Sequence, residues 1–268
     1  YIIFKKDGTT VKTDTVVNLS DHSGIENPAI AAFEDGTFVI VWQAILSSYS
    51  NPLIYAKIYN SEFSNAPNEI LVSTSVESRD YNPTVATSDY KSIFTVAWQH
   101  WDQEPSEHRI RIRGFKKNGT PYKEQFFIFS QGDAIQTNPA IVSLKNGGFA
   151  LAWEVYNSTT LYSEVYMQTL SSELTFWNAP VRVSPEGSID HKSPGITSLN
   201  ENGFAVVWQE EEGANSEVSC QLFGADGSKT RYPFRVNTQG NVKANTPTIA
   251  TLKDGGFIVL WKTGDRKS

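Results

Sequence analysis

The sequence is poor in several things, and each shortage removes a class of protein. One cysteine, Cys220, occurs in 268 residues, so neither an intrachain disulfide nor a multi-cysteine zinc site can form. Methionine is also single, Met167. Charged residues make up only 19% and the net charge is −6, which fits neither a disordered tail nor a coiled coil. The mild acidity lacks the clustered Lys and Arg that give nucleic acids their affinity, so no nucleic-acid partner is expected. No apolar run approaches the roughly 18 residues of a membrane helix, so no membrane insertion is expected. Nothing reads as a signal peptide. The histidines His22, His100, His108 and His191 are scattered with no zinc spacing, and no calcium-loop motif occurs. No cofactor or metal is therefore expected.

What remains is rich in β-formers. Aromatics reach 12%, with seven Trp, and Val, Ile, Thr, Phe, Gly and Asn are favoured over the residues of long helices. Self-comparison aligns five segments: Asn27-Pro28 to Trp42, Asn82-Pro83 to Trp98, Asn138-Pro139 to Trp153, Ser193-Pro194 to Trp208 and Thr246-Pro247 to Trp261. Trp-to-Trp spacing is 56, 55, 55 and 53 residues. Four residues before each Trp stands a Phe: Phe38, Phe94, Phe149, Phe204 and Phe257. In the second copy Tyr90-Lys91-Ser92 replaces the turn glycine found in the others.

Each unit reads as four strands, a to d. Strand a follows the proline, a tight turn leads to strand b, and Asn118-Gly119 or Asp226-Gly227 marks the c–d hairpin. Strand b is apolar at nearly every position, as a strand buried on both faces must be. Phe38, Ile40 and Trp42 point one way, Val39 and Val41 the other. A four-stranded repeat of this length whose inner strands are covered on both sides is a β-propeller blade. The repeated Phe and Trp then wedge between neighbouring blades.

The blades start near residues 27, 82, 138, 193 and 246. Residues 1–20 match strands c and d, with Phe4-Lys5-Lys6-Asp7-Gly8-Thr9 paralleling Phe115-Lys116-Lys117-Asn118-Gly119-Thr120. Residues 247–263 match only strands a and b. The reading is an all-β, five-bladed β-propeller of four-stranded antiparallel blades over residues 1–268. Its closing blade is shared between the N- and C-terminal strands, which removes exposed sheet edges. The opening Tyr1-Ile2-Ile3-Phe4 begins in mid-strand style, as a piece of something longer would.

The pattern (Asn/Ser/Thr)-Pro-x-Ile-x-x-Leu-x-x-Gly-Gly-Phe-x-Val-x-Trp resembles tandem repeats of large secreted or surface proteins of bacteria and ciliates. The resemblance covers the whole chain. It implies a propeller and an extracellular or cell-surface setting, and no enzyme activity, because the matched residues are structural. The Trp-Asp pairs of WD40 repeats and the aspartate box of sialidases are absent.

Long, varied b–c and d–a connections crowd one rim, where binding usually lives on a rigid frame. Within that rim His100-Trp101-Asp102-Gln103-Glu104 is the best candidate, an indole face beside carboxylates and an amide that suits a sugar. Trp101, Asp102, Glu104 and Tyr156 are the candidate ligand residues; Tyr49, Tyr81 and Tyr162 are weaker. Catalytic work on sugars needs paired carboxylates at the mouth. Glu154, Glu210, Glu211, Glu212, Asp80 and Asp190 are available, but no catalytic residue is assigned. The residue after each repeat Trp is Gln43, Gln99, Glu154, Gln209 or Lys262, and such ring-wide repetition points to a structural role. Arg109, Arg111 and Arg113 alternate on one strand and are expected on an exposed outer face. His22 and His191 are expected as solvated loop residues, and Cys220 as a buried small hydrophobe. Sequons at Asn18, Asn118 and Asn157 offer glycosylation sites.

The main functional expectation is a non-enzymatic structural or adhesive module of an extracellular protein, such as a subunit of a fibre or surface assembly. Its partners are then other copies or neighbouring domains of the same protein. The alternative is a lectin binding glycans through rim aromatics, with a glycoside hydrolase a more distant third.

Overall fold

The computed structural model describes residues 2–4, 7–12, 16–18, 22–48, 50–62, 68–74, 79–102, 107–128, 134–200, 203–213, 215–238 and 243–263. A short antiparallel pair, β1 (Ile3–Phe4) and β2 (Thr10–Lys12), comes first. The first full sheet is β3 (His22–Ala32), β4 (Phe38–Leu46), β5 (Leu53–Tyr59) and β6 (Ile70–Leu71). The second is β7 (Arg79–Ser88), β8 (Ile93–Asp102), β9 (Glu107–Lys116) and β10 (Pro121–Phe127). The third is β11 (Ile135–Ser143), β12 (Phe149–Asn157), β13 (Tyr162–Leu170) and β14 (Val181–Arg182). The fourth is β15 (Asp190–Leu199), β16 (Gly203–Glu212), β17 (Asn215–Gly224) and β18 (Phe234–Arg235). A two-stranded piece, β19 (Ala244–Thr251) with β20 (Phe257–Thr263), ends the series. All five units are antiparallel meanders, and their first strands follow one another in space as β3, β7, β11, β15 and β19.

The core lies between sheets rather than within them. Val39 and Val41 of the first sheet meet Phe94, Val96 and Trp98 of the second in one buried cluster. Ala97 and Ile112 pack with Phe149, Leu151 and Trp153. Ala150 and Ala152 pack with Phe204, Val206 and Trp208. Ala205 and Val207 pack with Phe257, Val259 and Trp261. The expected alternation of strand b therefore holds: the Phe/Trp face of each sheet covers the small aliphatic face of the sheet before it. A second ring from strand c backs the Phe, with stacked pairs Phe38–Tyr59, Phe94–Phe115 and Phe204–Phe223 at 4.9, 5.1 and 5.0 Å.

One repeat glycine is fixed by space. A Cβ at Gly148 would stand 2.4 Å from the carbonyl oxygen of Leu170 on strand c. Gly203 faces the Phe223 carbonyl oxygen in the same way, also at 2.4 Å.

The fifth unit comes from the two ends of the chain. β19–β20 supply its inner pair and dock on the fourth sheet. β1–β2 match its outer pair, and Ile3, with Val17, covers the Phe38, Ile40 and Trp42 face of the first sheet. No ladder joins the two pairs among the described residues, and the seam also opens between β20 and the first sheet. Side chains on both sides register it. Ile258 and Leu260 are 46% and 60% exposed, whereas their counterparts Val39, Val41, Ala205 and Val207 are fully buried. Ile30 on the facing sheet is 63% exposed, and Phe4, the counterpart of Phe115, is exposed as well.

Burial makes the repeat tryptophans unequal. Trp98→Ala should cost about 3–5 kcal/mol, the range for a fully buried large aromatic. Trp261→Ala, at a half-buried position beside the seam, should cost less than half as much. Urea midpoints of the two variants at constant m-value test the ranking.

Candidate functional site

The five inner strands converge on an open cavity of about 400 Å³. Its wall is built from the repeat residues Asn27, Asn82, Asn138, Ser193 and Thr246, each followed by its proline, together with Thr84. All five lie in the left-handed backbone region, with φ of 50°, 49°, 51°, 52° and 46°. That region is uncommon for non-glycine residues, least favourable for a β-branched Thr, so something must hold it at each step.

The residue after each repeat Trp does so. Gln43 Oε1 accepts the Asn82 backbone N–H at 3.0 Å and the Asn27 side-chain amide at 3.0 Å. Gln99 Oε1 accepts the Asn138 N–H at 3.2 Å and the Asn82 side-chain amide. Glu154 Oε2 accepts the Ser193 N–H at 3.1 Å and the Asn138 amide at 2.9 Å. Gln209 Oε1 accepts the Thr246 N–H at 3.2 Å. One acceptor oxygen thus ties its own strand to the left-handed residue of the next blade, and the ties form a belt around the channel. Amide and carboxylate both serve because each tie needs only an acceptor oxygen, although Gln43 also donates its Nε2 to Glu26 at 3.1 Å. At the fifth step stands Lys262, which carries donors only and cannot accept from Asn27. The belt breaks at the same blade as the sheet.

The expected rim site looks different. Trp101 and Asp102 are not loop residues but the last two of β8, laddered to His108 and Glu107. Tyr156 likewise lies inside β12, paired with Ser163 and Ile135. The inner strands run on past the channel as hairpin arms, because backbone pairing continues after the apolar pattern stops. The guanidinium of Arg79 sits 4.5 Å from the centre of the Trp101 ring, and the His108 ring lies 5.9 Å away. Asp102 is engaged too. His100, buried, has Nδ1 2.6 Å from Asp80 Oδ1 and Nε2 2.8 Å from Asp102 Oδ2. Each ring nitrogen of His100 thus faces a carboxyl group, one from each side. Glu104 lies outside the described residues, as do Gln103 and Tyr49. Among the described residues no ring contact or ladder pairing joins Trp101 to Tyr156.

Other expectations are corrected by burial. His22 and His191 are strand residues with buried side chains, not solvated loop residues; His22 Nε2 is 3.5 Å from Glu69 and His191 Nε2 4.0 Å from Glu210. Arg111 is buried over the Phe127 ring at 4.4 Å rather than exposed, and Arg113 lies over Phe115 at 5.0 Å. Desolvation pulls the Arg111 guanidinium below its ordinary value. Cys220 is fully buried and its thiol is pushed up to about 12 by desolvation, which removes it as a nucleophile. Asn118 and Asn157 sit at turns, each using Oδ1 to accept a backbone N–H from two residues on, Thr120 at 3.1 Å and Thr159 at 2.9 Å. Asn18 is half-buried, and Ser20 of its sequon lies outside the described residues. Among the described residues no group of three or more His, Cys, Asp or Glu could hold a metal ion.

The arrangement of sheets around a channel has many solved counterparts. The family-93 α-L-arabinofuranosidase of Fusarium graminearum, solved with arabinobiose, aligns with a TM-score of 0.61 at 13% identity, covering 90% of this chain and 76% of that one. The endo-arabinase of Bacteroides thetaiotaomicron aligns at 0.54 and 12%, covering 88% of each chain. An N-acetylgalactosamine deacetylase from F. plautii, in complex with blood group B trisaccharide, aligns at 0.55 and 13%, covering 92% and 82%. The fold is that of the five-bladed β-propellers. At these identities the likeness speaks for the propeller fold alone. No family model and no curated protein matches the chain.

In this propeller the belt sets two expectations. Gln99→Leu removes the acceptor of two partly exposed donors, the Asn138 N–H and the Asn82 side-chain amide, and should cost about 1 kcal/mol. Lys262→Gln supplies the missing acceptor and should raise the melting temperature by about 2–4 °C for ~1 kcal/mol. Calorimetry reads both. A third concerns pH. Desolvation holds the His191 imidazole below its ordinary value of 6.5, so the unfolded chain takes up that proton first. Its share of stability is intact above 6.5 and is lost as the pH falls below it. The melting temperature of His191→Gln should decline less than wild type on acidification.

Proposed function

We propose that the protein is a non-catalytic, carbohydrate-binding propeller of the cell exterior whose ligand enters the channel mouth. The cavity wall carries the reading: at each step an amide or hydroxyl stands beside a pyrrolidine ring. Sugars present the same mixture, hydroxyls around an apolar C–H face, and concave sites with a few placed polar groups take such ligands. Sugar-bound structures among the propellers of like fold support this class of ligand. The wall has no carboxylate among its described residues, whereas glycosidases use a pair about 5–9.5 Å apart. Of the acids beside it, Glu154 already accepts two hydrogen bonds as a belt residue, and Glu26 accepts from the Gln43 side-chain amide at 3.1 Å. The ligand is placed in the channel rather than on Trp101 because Arg79 stacks on that ring.

A structural or adhesive module of a surface assembly is the second reading. It is favoured by one observation, the edge of β20 that has no ladder partner among the described residues, with Ile258 and Leu260 exposed beside it. Neighbouring copies of the same protein would be the partners.

A glycan array tests the main reading. Wild type should bind at least one glycan, and Thr84→Tyr, which fills the mouth without touching the belt, should weaken that binding more than tenfold at unchanged melting temperature. Binding indifferent to Thr84→Tyr, or no binding at all, overturns it. Turnover of arabinan or xylan that disappears in Glu154→Gln would put a hydrolase in its place.

A further inference from the structure

Two exposed aromatic rings flank one turn on the rim opposite the expected one. Tyr90 sits in the a–b turn of the second blade. Counting from the repeat proline, its place is taken by Asp35, Asn146, Glu201 and Asp254 in the other copies, so the fold does not ask for a ring there. Trp177 lies in the c–d connection of the third blade, outside the Trp repeat. The two rings converge on Gly147-Gly148, the a–b turn of that blade. A Cβ at Gly147 would fall 2.6 Å from Cγ and Cδ1 of Tyr90, and one at Gly148 3.1 Å from Cη2 of Trp177. Gly147 also has φ +85°, so glycine both permits the turn and lets Tyr90 lie down on it. Consecutive Cα atoms are about 3.8 Å apart, so the rings bracket one short stretch of backbone.

Both rings face water: Tyr90 is 69% exposed and Trp177 46%. Their surroundings are polar and held. Lys91 Nζ is 2.8 Å from Glu173 Oε1, and Tyr122 donates to Glu173 Oε2 at 2.5 Å. Behind them, Phe176 packs edge-on against Phe126 at 5.6 Å and anchors the segment. Two aromatic side chains, at about 150–250 Å² each, fall short of the roughly 800 Å² that each partner brings to a stable protein interface. A pair of rings beside a fixed ion pair instead fits a ligand with small apolar faces and many hydroxyls.

From this geometry we infer a second carbohydrate subsite, in which Tyr90 and Trp177 stack the C–H faces of a neutral glycan chain and Lys91 and Glu173 meet its hydroxyls. The inference takes its ligand class from the proposed function but not its location. The two sites lie on opposite rims, so one can fail without the other.

The probes are cellohexaose, xylohexaose, mannohexaose and arabinohexaose, added to the full chain while tryptophan emission is followed. Trp98, Trp153 and Trp208 are buried and should not respond, whereas a sugar on Trp177 should shift emission to the blue. At least one hexasaccharide should give that shift. Tyr90→Ala and Trp177→Ala should each weaken its binding, read by calorimetry, by about tenfold or more. Trp177→Phe should keep most of the affinity and lose the shift, and Thr84→Tyr should change neither. Melting temperatures should stay near wild type, since both side chains are exposed. Loss of binding in Thr84→Tyr with both rim variants unaffected overturns the subsite and leaves the channel reading standing. No response to any of the four probes also overturns it, while array binding blocked by Thr84→Tyr would still support the channel.

Discussion

Each b strand is apolar on both faces, and everything else in the molecule follows from covering both. One sheet can hide only one side of β8. Its other side needs a second sheet, which brings the same requirement with it. The solution is serial: Phe94, Val96 and Trp98 cover Val39 and Val41 behind them, while Ala97 faces Phe149, Leu151 and Trp153 ahead. Large residues on one face and small ones on the other let the sheets approach closely at one edge and diverge at the other. A stack of such wedges bends into a circle, with the inner strands around an axis.

The circle creates a second problem at that axis. The chain must enter each inner strand beside its neighbour, and it does so through a left-handed residue followed by proline. Strain of this kind persists only where the surroundings over-determine it. Here the determinant is one acceptor oxygen per blade, aimed at the N–H of the next blade's strained residue, as Gln43 is at Asn82. Packing and belt are independent devices, yet both lapse at the same place. Leu260 lacks the cover that Val41 has, and Lys262 cannot accept as Gln43 does. The closing blade is also the one blade assembled from sequence-distant ends, so its closure costs the most chain entropy and has the fewest ties to offset it.

The wedges were legible because they are local and repeated: a Phe and a Trp four residues apart, recurring at near-constant spacing, leave little else to build. The repeated Gln/Glu position was legible as structural, but not what it bonds. The N–H it accepts lies 39 residues on, in the case of Asn82 and Gln43, and belongs to a strain that sequence does not display. The hairpin arms were missed for a different reason. Beyond the channel, β8 and β16 run on through residues such as His100, Asp102, Glu210 and Glu211. Polar residues read as loop, although main-chain pairing does not need apolar side chains. The histidines expected in solvent, His22 and His191, failed alike: the carboxylates that face them, Glu69 and Glu210, come from sequence-distant segments.

A repeat protein also separates frame from function by its own internal comparison. Where all copies agree, the residue serves the wedge or the belt; where one copy departs, the frame is not the reason. Trp101 and Trp177 both depart, and sequence alone gives no ground for choosing between them. Environment does. Trp101 shares its ring with Arg79, a contact that a sugar would have to displace along with its cation–π attraction. Trp177 is 46% exposed with its ring edge at the Gly148 backbone, and a second departing residue, Tyr90, lies on the adjacent glycine. Two departures that converge from different blades onto one turn are harder to ascribe to drift of a solvated surface than either alone. The rim that the tight turns were expected to leave bare is therefore the one where exposed rings gather.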